Sequence, residues 1–336
     1  MSDAARQKPE VSIVMPARND EAAVAQAIRS ALGQVGAPPL EVIVAVGEST
    51  DATRSVVSDI AHDDHRVRVL SHVAGNTPEG LNAAIHDSHG DVIVRCDAHS
   101  NLPSDYVATA LGILEETGAD VVGGTQRAVG TRFWQRAAAI AMTTPLGVGD
   151  AKFHTGGSPG PVDTVYLGVF KRSALERVGL FDESLTRNQD YELNFRIRDS
   201  GGVVYYHPAL AVDYIPRENP RKLASQYRQY GAWKRVVLRR FPESLRWRQL
   251  AAPLLVVGLF VSLVLLLFGQ RRLAAVVPGV YLAGVLATTL VELLRRRDLA
   301  ALGLPVVLPV MHLSWAFGFM TDDIRDPGPR IPRLDT

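Results

Sequence analysis

The segment VIVRCDAHSNLP, residues 92–103, runs from an apolar start through a carboxylate, a small residue and an imidazole to a proline. Val92, Ile93 and Val94 read as a strand. Pro103 reads as the first turn of a helix, where a missing N–H is no loss. Between them Asp97 and His99 stand two apart, so on a chain still extended both point to one side. That spacing suits a metal site and equally a polar turn. The same order of apolar run, polar turn and helical spacing recurs twice upstream. Val11–Met15 leads into Pro16-Ala17-Arg18-Asn19, and then Glu21–Leu32 keeps Val24, Ile28 and Leu32 at helical intervals. Glu41–Val46 leads into Gly47-Glu48-Ser49 and a helix from about Asp51, with Val56, Val57 and Ile60 apolar. Val67–Leu70 and Asp120–Val122 add strands, and Gly80–Ser88 adds a helix. Strands alternating with helices imply an α/β fold whose mainly parallel sheet is covered on both faces. Such sheets bind ligands beyond the carboxyl ends of their strands. The three polar turns are therefore expected to converge on one crevice.

The formal charge over 336 residues is +1, which excludes a global basic footprint for nucleic acid. Cys96 is the one cysteine, so an internal disulfide framework is excluded and a reducing compartment is expected. The start, MSDAARQKPE, has no apolar core before Val11. It does not read as a secretory signal, and residues 1–10 are expected to be flexible.

After Leu250 the chain changes character. Ala251–Phe268 has no charge, Leu273–Leu294 has only Glu292, and Leu299–Met320 has none. About 20 apolar residues cross a bilayer, so three transmembrane helices are expected within 251–320. Pro305 and Pro309 mark the third as a kinked or re-entrant candidate. If all three cross, Arg239, Arg240, Arg246, Arg248 and Arg295–Arg297 put seven arginines on one side, against five at Arg271, Arg272, Arg325, Arg330 and Arg333. Positive charge favours the cytoplasmic side. The N-terminal domain is thereby placed in the cytosol, with Thr336 across the cell membrane.

Four stretches then come in a telling order: SIVMPARNDEAAV from Ser12, EVIVAVGESTDAT from Glu41, GLNAAIHDSHGDVIVRCDAHS from Gly80 and NQDYELNFRIRDSGG from Asn188. Together they resemble family 2 glycosyltransferases, inverting enzymes of GT-A fold that use nucleotide sugars. The likeness covers about Val11 to Pro242. VDTVYLGVFKRSALERVGLFDESLTRNQDYELNFRIRDSGG, followed by QYRQYGAWKR, is similar to the ExoA-like branch, of succinoglycan-biosynthesis type. The resemblance implies a GT-A domain over 11–218, an amphipathic interfacial helical segment over 219–250, the three spans, and a tail over 321–336.

It also implies roles. The family's DxD motif stands here as Asp97-Ala98-His99, a DxH. Asp97 and His99 would hold a divalent metal, Mn²⁺ or Mg²⁺, against the donor diphosphate, and imidazole suits Mn²⁺ better. Pro16, Ala17, Asn19, Glu48, Asn82 and Asp97 are the implied donor-binding residues. Where the family carries a carboxylate for the uracil edge, this chain has Val46 and Gly47, with Glu48 as the substitute; Asp51 reads as a helix cap. Asp190, in Asn188-Gln189-Asp190, is the implied general base, or else a helix cap. Asp163 and Trp233 are implied on the acceptor side. Trp233 equally suits packing of the interfacial helix, and Ala232 breaks the QxxRW motif of processive members. The loop Gly156–Pro161 reads as a flap over donor or acceptor, or as a plain connection.

The function so implied is metal-dependent, inverting transfer of a hexose from a nucleotide sugar, expected to be a UDP-sugar, to a lipid-linked saccharide at the membrane. A polysaccharide-assembly complex is a further implied partner. Two alternatives stay open: transfer to polyprenyl phosphate itself, a close relative in the same class, and a non-catalytic nucleotide-sugar-binding subunit of a synthase or export complex, which the altered motifs allow.

Overall fold

The computed structural model describes residues 9–73 and 75–334. Most of the N-terminal stretch expected to be flexible, and Thr336, lie outside the described residues. The chain divides into two units, one of Met1–Gln126, Gly157–Asp213 and Pro327–Thr336, the other of Arg127–Gly156 and Tyr214–Asp326.

The strands are β1 (Val11–Ala17), β2 (Leu40–Gly47), β3 (Val67–Val73), β4 (Val92–Arg95), β5 (Val121–Gly124), β6 (Gln126–Ala128), β7 (Gly160–Pro161), β8 (Tyr166–Lys171), β9 (Val204–Tyr206) and β10 (Val212–Tyr214). Eight of them form one sheet in the order β3-β2-β1-β4-β8-β5-β9-β7, and β6 pairs with β10. β3, β2, β1 and β4 run parallel. In the other half β5 and β9 are also parallel, so the sheet is mainly parallel as expected, and β8 lies antiparallel between β4 and β5. The sheet is therefore mixed. The reversal has a use: with Val94 opposite Val169, the first residue of β8, Tyr166, lies beyond the carboxyl end of β4.

Side-chain alternation along β1 builds both faces of the core. Val11, Ile13 and Met15 pack with Val24 and Ile28 of the helix Val24–Leu32 and Val107 of the helix Tyr106–Thr117. Val14 packs on the other face with Leu81 and Ile85 of the helix Thr77–His86 and Leu193 and Ile197 of the helix Gln189–Asp199. Burial on both faces is why these strands read as unbroken apolar runs.

The helices expected from Glu21, Asp51 and Pro103 begin two to three residues later, at Val24, Thr53 and Tyr106. Their leading polar residues are used in turns instead. The Asp20 N–H donates to Thr53 Oγ1 at 2.8 Å, and the Tyr106 N–H to Pro103 O at 3.1 Å. The helix Thr77–His86 starts earlier than Gly80, because Asn76 and Glu79 form a reciprocal capping box.

The segment 327–334, read from sequence as a mere tail, is part of this first unit. The Leu180 N–H donates to Pro332 O and the Glu183 N–H to Arg330 O, both at 2.9 Å. The Arg330 N–H donates to Asp182 Oδ1 at 2.9 Å, its Nη2 to Glu79 Oε1 at 3.1 Å, and Leu334 packs on the core.

The second unit is helical. Ala137, Ala138 and Ile140 of the helix Phe133–Ala141 pack with Leu223 and Tyr227 of the helix Pro220–Arg240 and with Leu304, Leu308 and Met311 of the helix Leu304–Thr321. Three helical stretches are long and apolar enough to cross a membrane: Trp247–Leu267, Arg271–Arg296 and Leu299–Thr321. They differ in burial: 11% and 17% of the first two apolar stretches are buried in the protein, against 44% of the third. The third meets Pro220–Arg240 at two glycines. A Cβ on Gly231 would sit 2.0 Å from Trp315 O, and one on Gly318 2.0 Å from Arg228 O.

Candidate active site

The polar turns after β1 and β2 are bound to each other. Asn19 sits at φ +55°, a left-handed conformation that asparagine tolerates better than most residues. Its Oδ1 accepts from the Thr50 N–H at 2.8 Å, and its own N–H donates to Ser49 Oγ at 3.2 Å. Arg18 donates to Glu48 O at 3.1 Å and to Gly75 O at 2.8 Å. Pro16 and the buried Ala17 end β1, and the Glu48 side chain is exposed past β2. Asp51 lies just ahead of its helix and accepts from both the N–H and the hydroxyl of Thr53.

After β4 the chain does not stay extended. The Ser100 N–H donates to Asp97 O at 2.8 Å, closing a turn across Ala98 and His99. The same-side geometry expected of Asp97 and His99 on an extended strand is thus replaced by a turn, since Ala98 is taken into the core. The His99 side chain is 58% exposed, with Nδ1 3.9 Å from Asp20 Oδ1.

The centre of the site is Arg95, which sequence reading passed over. It ends β4 with its side chain only 6% exposed. Nε donates to Asp97 Oδ1 at 2.9 Å, Nη1 is paired with Asp190 Oδ1, and the guanidinium lies 6.0 Å from the centre of the Phe181 ring. One cation thus gathers the two carboxylates singled out by sequence. The signal was present in VIVRC: a lone charge in an apolar strand must find a partner if buried.

Asp190 is the second residue of the helix Gln189–Asp199. The cap position belongs to Asn188, at φ +63°, so Asp190 is free of the capping duty offered as its alternative. Burial pushes the Asp190 carboxyl up, Arg95 pulls it down, Asp97 pushes it up again, and the net position is above the ordinary carboxylate range. Asp97 is also pushed up by burial, but Arg95 and then His99 outweigh this and hold it below that range. Two carboxylates on one cation are thereby driven apart. Tyr166 lies close enough that burial, followed by the Asp97 charge, raises its phenol well above the usual value. Next to it Leu167 has φ +45° and its carbonyl accepts from Tyr106 Oη at 3.0 Å. Backbone strain of that kind in a leucine persists only where its surroundings hold it.

The supports behind this centre can be followed residue by residue. Asn82 is buried. Its Nδ2 donates to Phe181 O at 2.8 Å and Glu183 Oε1 at 3.1 Å, while its Oδ1 accepts from the Phe181 N–H at 3.0 Å. Its amide is thus committed to holding Phe181 under Arg95 rather than turned to a ligand. Glu192, fully buried, binds Arg196 at 2.6 Å, and Arg196 reaches the carbonyls of Val178, Gly179 and Leu180. Asp163 is partly exposed in the loop before β8, and Trp233 is partly exposed on Pro220–Arg240 in the second unit.

Among the described residues no three His, Cys, Asp or Glu side chains gather into a cluster able to hold a metal alone. Mg²⁺ and Mn²⁺ are commonly held by one or two carboxylates completed by substrate phosphates and water. Asp97, ionised and at the carboxyl edge of the sheet, fits that partial role, with the exposed His99 beside it.

A family model described as Glycosyl transferase family 2 matches residues 12–179. The succinoglycan biosynthesis protein ExoA of Rhizobium meliloti (strain 1021) is 29% identical over 91% of this chain and 93% of its own length. The dolichyl N-acetyl-alpha-D-glucosaminyl phosphate 3-beta-D-2,3-diacetamido-2,3-dideoxy-beta-D-glucuronosyltransferase of Methanococcus voltae is 23% identical over 92% and 95%. Among solved structures, mannosyltransferase PcManGT from Pyrobaculum calidifontis, in complex with GDP-Man and Mn²⁺, superposes with a TM-score of 0.61 at 18% identity, covering 94% of this chain and 88% of that one. The mixed sheet and its helices are thus a GT-A-like fold.

Proposed function

The chain belongs to glycosyl transferase family 2, and from that premise we propose that it is an inverting hexosyltransferase of the cytosolic membrane face, moving a sugar from a UDP-sugar to a lipid-linked saccharide. The observation that carries this reading is the junction of Asp97 and Asp190 on Arg95. A carboxylate for the donor side and a second for the acceptor side then lie at one strand end, where open α/β sheets bind ligands. The Methanococcus voltae relative is named for a dolichyl-phosphate-linked sugar, which supports a lipid-linked acceptor here.

In this mechanism Asp190 accepts the proton of the acceptor hydroxyl as that oxygen bonds to the anomeric carbon. The bond from the anomeric carbon to the phosphate oxygen breaks on the opposite face, and the nucleoside diphosphate leaves with the electron pair, so the configuration inverts. A base raised toward the working pH is the stronger base, which is the direction of Asp190. Arg95 holds the carboxylate aimed and limits how far it rises. Asp97 and His99 would hold the divalent metal, with Mn²⁺ favoured by the imidazole. When bound, the metal neutralises charge on the leaving diphosphate.

The test uses the purified full chain in detergent with Mn²⁺ and a panel of UDP- and GDP-sugars. Thermal shift finds the donor, and labelled-sugar transfer to an extracted lipid-linked acceptor fraction reads the reaction. The expected outcome is one UDP-sugar that stabilises the protein and is transferred or slowly hydrolysed. A donor that binds and is neither transferred nor hydrolysed would establish the non-catalytic subunit instead.

A further inference from the structure

We infer that residues 330–334 lie on the same side of the membrane as the catalytic core, and that the chain between them crosses the bilayer twice, not three times. This rests on the packing and on the membrane-length helices, not on the transferase reading. Backbone bonds from Leu180 to Pro332 and from Glu183 to Arg330, with Arg330 bound to Asp182 and Glu79, place this segment inside the fold of the first unit. A segment hydrogen-bonded into a domain shares its compartment. The polypeptide that leaves the unit after Asp213 and rejoins it at Pro327 therefore makes an even number of crossings. Three apolar helices are available, so one does not cross.

The geometry points to the third. Its start is held at Asp298 by Arg136, at 2.5 and 3.1 Å. Its middle is held at His312, whose Nε2 lies 2.9 Å from Leu146 O. Its end is held at Asp322 by Arg228, at 2.6 and 2.8 Å, and Arg228 also lies 5.0 Å from the centre of the Phe317 ring. The two glycine contacts press it onto Pro220–Arg240, a helix with seven cationic residues. Cations at a bilayer centre cost several kcal/mol each, so that helix belongs at the water boundary and keeps the third stretch there. The first two apolar helices are less covered: on the second, Tyr281 Oη pairs with His312 Nδ1 at 2.8 Å and Val285, Thr289 and Glu292 are buried, but Leu254, Phe260, Leu267, Val280, Leu290 and Leu294 are all more than half exposed. They form a hairpin through the lipid, turning at Gly269-Gln270.

Charge agrees. With two crossings only Arg271 and Arg272 lie beyond the membrane, and the other ten arginines counted near the apolar helices and in the tail share the catalytic side. The slight bias of a three-span arrangement becomes a strong positive-inside signal.

The test is cysteine accessibility in intact cells, with a membrane-impermeant maleimide applied before and after permeabilisation. The full chain carries Glu115→Cys, Gln270→Cys or Arg333→Cys in turn, all exposed positions. The parent, whose Cys96 is buried, supplies the background. Gln270→Cys should label in intact cells, and the other two only after permeabilisation. Opposite behaviour of Glu115→Cys and Arg333→Cys overturns the inference, as does identical behaviour of all three. Glu115→Cys and Arg333→Cys labelling together from outside, with Gln270→Cys protected, would keep the two crossings and overturn only the cytosolic placement.

Discussion

At the level of single residues the site turns on one guanidinium shared by two acids. Asp190→Asn keeps the shape of the side chain and removes its basicity. Losing a positioned base costs about 10²–10⁴-fold in rate, so transfer should fall by that order while donor binding stays near the parent's and the melting temperature drops modestly, since Arg95 keeps Asp97 but loses the Asp190 charge. Transfer within a few-fold of the parent would move the base elsewhere, with Asp163 the first place to look. Arg95 makes a separate prediction through pH. In the proposed role Asp190 must be ionised, so activity is expected to fall as pH drops through the Asp190 pKa. Arg95 is what pulls that pKa down, against burial and Asp97. Arg95→Met should therefore shift the acid limb of kcat/KM to higher pH, and Arg95→Lys should shift it less. An unmoved limb in Arg95→Met would mean that the guanidinium does not act on Asp190.

Among the elements, β1, β2 and β4 with their polar turns could be read from sequence, because both-face burial writes an uninterrupted apolar run. Asp97 and Asp190 could be picked out, and the lone charge of Arg95 in an apolar strand called for a partner, but which carboxylates it joins was hidden, since the pairing with Asp190 spans 95 residues and has no local pattern. The antiparallel seat of β8 was equally hidden: YLGVFK suits a strand of either direction. Burial of the third apolar stretch was invisible too, because lipid and protein select the same side chains there, and only Gly231 and Gly318 betray the close approach. That approach can be measured. In an open helix Gly→Ala gains about 1 kcal/mol, and Gly112→Ala, with no atom within 4 Å of its new Cβ, should raise the melting temperature. Gly231→Ala meets backbone at 2.0 Å, and overpacking costs roughly 1–3 kcal/mol, so its melting temperature in detergent should fall. A rise would show that the two helices can part without loss.

For the molecule as a whole, the returning segment 330–334 ties the far end of the sequence to the loop that carries Phe181 and leads to Asp190. Truncation after Pro329 removes two backbone–backbone hydrogen bonds and one from the Arg330 N–H to the Asp182 carboxylate, worth about 1 kcal/mol each. It should lower the melting temperature by several degrees and cut transfer, while the protein still partitions with membranes. A truncated chain with the parent's melting temperature and rate would make the segment dispensable. Nothing in RIPRLD foretold this, since a segment outside any helix or strand, held largely through its backbone, leaves no side-chain period to read. The same closure has a consequence in time. A ribosome adding roughly 5–20 residues per second needs on the order of ten seconds to go from Asp213 to Arg330. Throughout that interval the nascent catalytic fold still awaits its last strap, and the apolar helices are being delivered to the bilayer. The support behind Phe181 and Arg95 is thus completed only after the apolar helices have been made, so that a chain stalled before its membrane segment is also a chain without that support.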